Sequence, residues 1–81
     1  MTKQILILGP GCARCKTLYE GTLEVVSDLG MDAEVAKVED VSEIVRRGIL
    51  ATPALVVDDR LVLAGRVPSR GRLREILADG G

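Results

Sequence analysis

The chain has 81 residues, 47% of them apolar and 28% charged, with a net charge of −1. Those values exclude a disordered chain and leave one small domain over residues 1–81, close to the size below which metals or several disulfides become necessary. The charge is uneven, at +3 over residues 1–19, −7 over 20–45 and +3 over 46–81.

No basic stripe dominates and Tyr19 is the sole aromatic residue, which argues against a nucleic-acid partner. No apolar run is longer than residues 5–8, too short for a membrane span or for the apolar part of a secretory signal, so a cytoplasmic protein is expected.

Residues 4–8 predict a strand apolar on both faces, hence a central one. Gly9-Pro10-Gly11 ends it. Over residues 13–29, Cys15, Leu18, Tyr19, Val25, Val26 and Leu29 fall on one helical face with Thr22 between them, and Gly30 closes the helix. Residues 33–38 predict an edge strand, interrupted by Glu34 and Lys37. Asp40 and Glu43 resemble a capping box for a short helix carrying Val41, Ile44 and Val45, which Gly48 stops. Residues 54–57 and 61–64 predict an antiparallel hairpin around Asp58-Asp59-Arg60. Ser69, after Pro68, caps a last helix with Leu73, Ile76 and Leu77 inward. The order is β-α-β-α-β-β-α, which builds a four-stranded mixed sheet with helices on both faces and uses every apolar stripe.

The stretch LILGPGCARCKT, residues 6–17, invites comparison with a phosphate-binding loop ending in Lys16-Thr17. That loop needs glycines at positions 10 and 15, where Pro10 and Cys15 stand, and proline lacks the N–H such a cradle uses. The acids after the strand-like ALVV, Asp58 and Asp59, mark a hairpin turn rather than a magnesium site.

The two cysteines account for the loop better. With a helix beginning near Ala13, Cys12 sits at its first turn, where unpaired N–H groups and the helix dipole favour a thiolate; Arg14 and Lys16 add positive charge. Cys12 is the expected nucleophile. Cys15 shares a face with Leu18, Thr22 and Val25, pointing towards the core, placed to resolve. A cysteine pair at this spacing supports redox chemistry ahead of metal binding or an inert buried pair. Pro53, which opens the third strand, stands either at an edge-type strand start or in a cis bond at a turn.

A Cys-x-x-Cys turn after the first strand, Thr52-Pro53 before a hairpin and this element order resemble the α/β thioredoxin-like superfamily, especially its small, glutaredoxin-sized redox disulfide proteins, from Lys3 to Leu77. The resemblance implies that Cys12 attacks, that Cys15 resolves through a redox-active Cys12-Cys15 disulfide with no bound cofactor, and that Pro53 is a cis-proline whose neighbour Thr52 offers backbone hydrogen bonds to a substrate peptide. It places the loop 65–70 beside the dithiol. Arg14 and Lys16, with Arg66 and Arg70, would give a basic rim suited to acidic partner segments.

Gly11 and Ala13-Arg14 replace the Trp and Gly-Pro usual in thioredoxins. The first strand lacks their buried aspartate, so proton transfer at Cys15 needs another route. Gly65-Arg66 and Ser69-Arg70 stand where glutaredoxins bind glutathione, which leaves a glutathione site in doubt.

The reading is therefore a monomeric thiol-disulfide oxidoreductase acting on protein disulfides and recharged by a dithiol reductase. The alternatives are a copper(I)-type carrier using the same thiolates, or a non-catalytic binding module on the same fold. A closed zinc site lacks a third cysteine and any histidine.

Overall fold

A computed structural model describes residues 2–11 and 13–79. Its elements are β1 (Lys3–Leu8), α1 (Ala13–Leu29), β2 (Ala33–Val38), α2 (Val41–Arg46), β3 (Ala54–Val57), β4 (Arg60–Ala64) and α3 (Arg70–Ala78). The sheet order is β2-β1-β3-β4. β1 pairs parallel with β2 through the α1 crossover and antiparallel with β3, and β3 turns back into β4. The expected order and mixed sheet are therefore those of the molecule.

The alternation along the two central strands divides the core. Ile5 and Ile7 of β1, with Leu55 and Val57 of β3, pack against Leu18 and Val25 of α1 and Leu73 and Leu77 of α3. The opposite parity, Leu8 with Ala54 and Val56, packs under Ile44 and Ile49 on the α2 side. Two-sided burial explains why β1 and β3 read as continuous apolar runs. Thr22, fully buried, donates its hydroxyl proton to the Leu18 carbonyl at 2.8 Å and so costs the core nothing in unmet hydrogen bonds.

α1 and α3 are also joined at the surface, by Arg70–Glu24 at 3.2 Å and Arg74–Asp28 at 3.0 Å. Exposed pairs of this kind contribute little each, about 0–1 kcal/mol. No helix among the described residues is long and apolar enough to cross a membrane.

Three local expectations change. Leu29, Val41 and Val45 are exposed, so the apolar stripes are not all used; α1 runs past its packed stretch, and the single turn and a half of α2 reaches the sheet only through Ile44. Asp40 caps α2 by accepting from the Ser42 N–H, while Glu43 turns to Arg46 and Arg47 instead of completing a box. The hairpin turn contains only Asp58 and Asp59, because Arg60 already pairs with Val57. Both aspartates have positive φ, 49° and 67°, as the tight turn that matches strand twist requires. Val62 is the extra residue of a bulge in β4, since Leu55 faces Leu63 and Val56 faces Leu61.

Asp58 also ties this turn to the start of β1. Its carboxylate accepts the Gln4 N–H at 2.9 Å and lies 3.6 Å from the Lys3 ammonium. The Gln4 hydrogen bond first, and then Lys3, hold the Asp58 carboxyl below its ordinary value, outweighing desolvation. A depressed native pKa stabilises the fold above the unfolded value, about 3.9, and that contribution is lost as pH falls through the native value. The difference in urea midpoint between the natural protein and Asp58→Asn is thus expected to be constant above about pH 5 and to shrink on acidification below about pH 3.9. A difference that does not change with pH would contradict the assignment.

Candidate functional site

Strand register alone lines up four residues just beyond the strand ends. Leu8 faces Val38 on one side and Ala54 on the other, and Ala54 faces Ala64. The next positions outward, Glu39, Gly9, Pro53 and Gly65, therefore form a row across one edge of the sheet. Hydrogen bonds continue the row past the strands: the Gly9 N–H donates to the Val38 carbonyl at 2.9 Å and the Gly65 N–H to the Pro53 carbonyl at 2.8 Å. The Thr52–Pro53 peptide bond is cis.

α1 begins over this row. Cys15 points into the protein, 5% exposed, and its Sγ lies against the Cα of Gly9 so closely that a side chain there would collide with it. The Cβ of Thr52 lies 3.8 Å from where that same side chain would begin. Gly9 is thus the spacer that lets the sulfur of α1 and the loop before β3 approach one another.

Arg14, one residue earlier on the helix, turns the other way and donates to the Gly65 carbonyl at 2.9 Å. Gly65 has φ 79°, in the left-handed region, with the Ala51 Cβ only 3.0 Å from the position of a would-be side chain. The first turn of α1, residues 51–53 and the residue after β4 are thereby closed into one cluster.

Beside Cys15 lies a small cavity of about 80 Å³ lined by Ile7, Gly9, Gly11, Cys15, Lys16, Lys37 and Glu39. The Lys37 ammonium is 4.7 Å from the centroid of the Tyr19 ring, which fixes it over α1 at the cavity's side.

Of the residues singled out from sequence, the fold brings together Cys15, Arg14, Thr52 and Pro53. Cys12 lies outside the described residues. Arg66 lines a different hollow, with Val62, Leu63, Val67 and Arg72 between β4 and α3. Arg70 leaves the rim for Glu24. The basic rim is therefore smaller than expected: Lys16 and Lys37 face the acid Glu39, and Arg14 is engaged by a carbonyl. Sequence reasoning placed the loop beginning at Gly65 here but missed Gly9, Lys37 and Glu39. For the last two the signal to follow was the parallel pairing of β1 with β2, which carries the end of β2 to the end of β1. Among the described residues no group of three or more metal-ligating side chains is present.

A sheet in the order β2-β1-β3-β4, with a buried cysteine at the start of the crossover helix facing the loop that opens β3, defines an α/β protein of the thioredoxin-like class. A family model described as a thioredoxin domain matches residues 3–78, and the chain belongs to that family. It is 40% identical over 75 residues to a thioredoxin of Methanothermobacter thermautotrophicus, a match covering 93% of this chain and 97% of that one. It is 41% identical over 73 residues to a thioredoxin of Methanocaldococcus jannaschii, covering 90% and 84%.

Gly9→Ala is expected to destabilise the protein by about 1–3 kcal/mol, because the added methyl must displace Cys15 or the strand end. Urea unfolding measures this, with Gly71→Ala as control: nothing lies within 4 Å of a side chain there, so that change is expected to be neutral or stabilising. Equal effects of the two variants would remove the spacer role from Gly9.

Proposed function

We propose that the protein is a thiol-disulfide oxidoreductase that reduces or exchanges disulfides in partner proteins through Cys12 and Cys15. The observation that carries this reading is the placement of Cys15. The second cysteine of the Cys-x-x-Cys turn is held inward, against Gly9 and next to Thr52, in a chain of the thioredoxin domain family.

The Cys12 thiolate attacks one sulfur of a substrate disulfide, giving a mixed disulfide and releasing the other sulfur as a thiolate. Cys15 then attacks Cys12, so that a Cys12-Cys15 disulfide forms and the substrate leaves with both sulfurs reduced. The redox pair belongs to the chain itself and no bound cofactor is required. A dithiol reductase returns the disulfide to the dithiol.

The surroundings suit an extended protein segment as substrate. Thr52 precedes the proline that leads into β3 and can pair its backbone with a peptide laid across the loop, as strands add to exposed edges. Leu50, two residues earlier, is fully exposed and offers an apolar contact to the same segment. Arg14 contributes by holding Gly65 against Pro53 and so shaping the loop, more than by presenting charge. Arg66, in the hollow between β4 and α3, is left outside this contact. Glutathione is left outside the proposed substrates, and the unit is proposed to work as a cytoplasmic monomer.

Reduction of insulin disulfides, followed as turbidity with a dithiol donor, tests the reading. The natural protein is expected to accelerate it, Cys12→Ser to abolish the acceleration, and Cys15→Ser to accumulate a mixed disulfide visible by mass. Acceleration that survives Cys12→Ser would end the proposal. Stoichiometric copper in protein purified under reducing conditions, together with no insulin reduction, would favour the carrier instead.

A further inference from the structure

The resolving step has an unmet chemical requirement. A thiol buried against Gly9 cannot hand its proton directly to bulk solvent, yet it must become a thiolate to attack Cys12. β1 supplies only Ile7 to the lining of the cavity beside Cys15. The titratable and charged groups that share the small cavity with Cys15 are Lys16 on α1 and Lys37 and Glu39 at the end of β2. An ammonium has no lone pair with which to take a proton. Glu39 is the one carboxylate among the described residues that lines the cavity.

The neighbouring acids are engaged elsewhere: Asp40 accepts the Ser42 N–H at the cap of α2, and Glu43 pairs with Arg46 and Arg47. Glu39 instead reaches back over the loop before α1, its Oε2 2.7 Å from where a side chain on Gly11 would begin. The parallel register fixes this approach, since Leu8 pairs with Val38 and the Gly9 N–H bonds the Val38 carbonyl. At about 80 Å³ the cavity exceeds the ~10–15 Å³ that one water requires.

We propose that Glu39 is the general base of the resolving step, taking the Cys15 proton by way of water in the shared cavity. This rests on the oxidoreductase reading above. After Cys12 has formed the mixed disulfide, the Cys15 S–H proton passes to the Glu39 carboxylate and the Cys15 sulfur bonds to that of Cys12. The Cys12–substrate S–S bond breaks, and the substrate sulfur leaves as a thiolate that takes up a proton from Glu39 or solvent. The two electrons lost by the cysteine pair are those gained by the substrate disulfide. In the reverse direction, the protonated carboxyl of Glu39 returns a proton to the departing Cys15 thiolate. Lys16 and Lys37 hold the cavity attractive to anions, which favours the transient thiolate.

The test is a stopped-flow reaction of the reduced full chain with a symmetrical aromatic disulfide whose thiolate is coloured. Attack by Cys12 releases the first equivalent of colour and attack by Cys15 the second, so the two steps are read separately. Glu39→Gln is expected to leave the first phase and its pH profile unchanged. The second phase should slow by about ten- to a hundredfold at neutral pH, within the usual range for loss of a general base. The deficit should close as pH rises past the ordinary thiol range, about 8.5, where hydroxide can take the proton. Glu39→Asp, which retains a carboxylate, should recover much of the second phase.

An unchanged second phase in Glu39→Gln overturns the proposal, and so does a faster one, which would mean that the carboxylate merely repels the thiolate. A change confined to the first phase also overturns it, placing Glu39 at Cys12. Absence of both phases in the natural protein would instead overturn the oxidoreductase reading itself.

Discussion

Everything at the candidate site depends on the register in which β1 meets its two neighbours. Because Leu8 faces both Val38 and Ala54, the first residues past the strands, Glu39, Gly9 and Pro53, arrive side by side, and the β3–β4 pairing adds Gly65. A slip of one residue would do more than displace these loops; it would turn Ile5 and Ile7 away from α1 and α3 and bring Leu6 and Leu8 into their place. The hydrophobic core therefore enforces the geometry of the site. Its precision is inherited from buried leucines, isoleucines and valines, and it persists as long as the sheet does.

The two faces of the sheet contribute unequally to that precision. α1 and α3 cover one face with four fully buried core residues and two surface ion pairs, and α1 carries Cys15 into place. α2 covers the other face with little more than Ile44, aided by Ile49. The start of α1, with Cys15, is thus mounted on the better-packed side. The loop that would meet a substrate, residues 50–53, emerges from the thinner side. On the proposed function, this suits a site in which Cys15 is held firmly while the recognition segment meets varied surfaces.

Much of this was legible in the sequence. The apolar run of residues 5–8 announced a central strand, the spacing of Cys15, Leu18, Thr22 and Val25 announced the buried face of α1, and Thr52-Pro53 between a helix stop and a β-rich run marked the opposing loop. What was not legible depended on distance along the chain. Glu39 is separated from Cys15 by a whole crossover, and only the parallel pairing of β1 and β2 makes them neighbours. Arg70 looked like part of a basic rim because nothing local signals that Glu24, 46 residues away, will claim it. Leu29 and Val45 fit their helical stripes yet remain exposed, because periodicity identifies a face without revealing how far the covering layer extends.

The same folding step sets the distribution of charge around the site. Along the sequence the charge comes in blocks, which would suggest a basic mouth selecting acidic clients. In the fold the acidic block of α1 is paired against the arginines of α3, so Glu24 and Asp28 offset Arg70 and Arg74. The mouth keeps Lys16 and Lys37 opposite Glu39, and Arg14 is taken up by a carbonyl. Three cations against one carboxylate leave the mouth net positive, with a field that is screened beyond about 8 Å at physiological ionic strength. Its reach is therefore short. Under the proposed function, recognition would rest on contacts made at close range: the backbone at Thr52, the exposed Leu50 and the reach of a substrate sulfur to the turn before α1. On that proposal, such a site would discriminate chiefly by the accessibility of a disulfide in an extended segment.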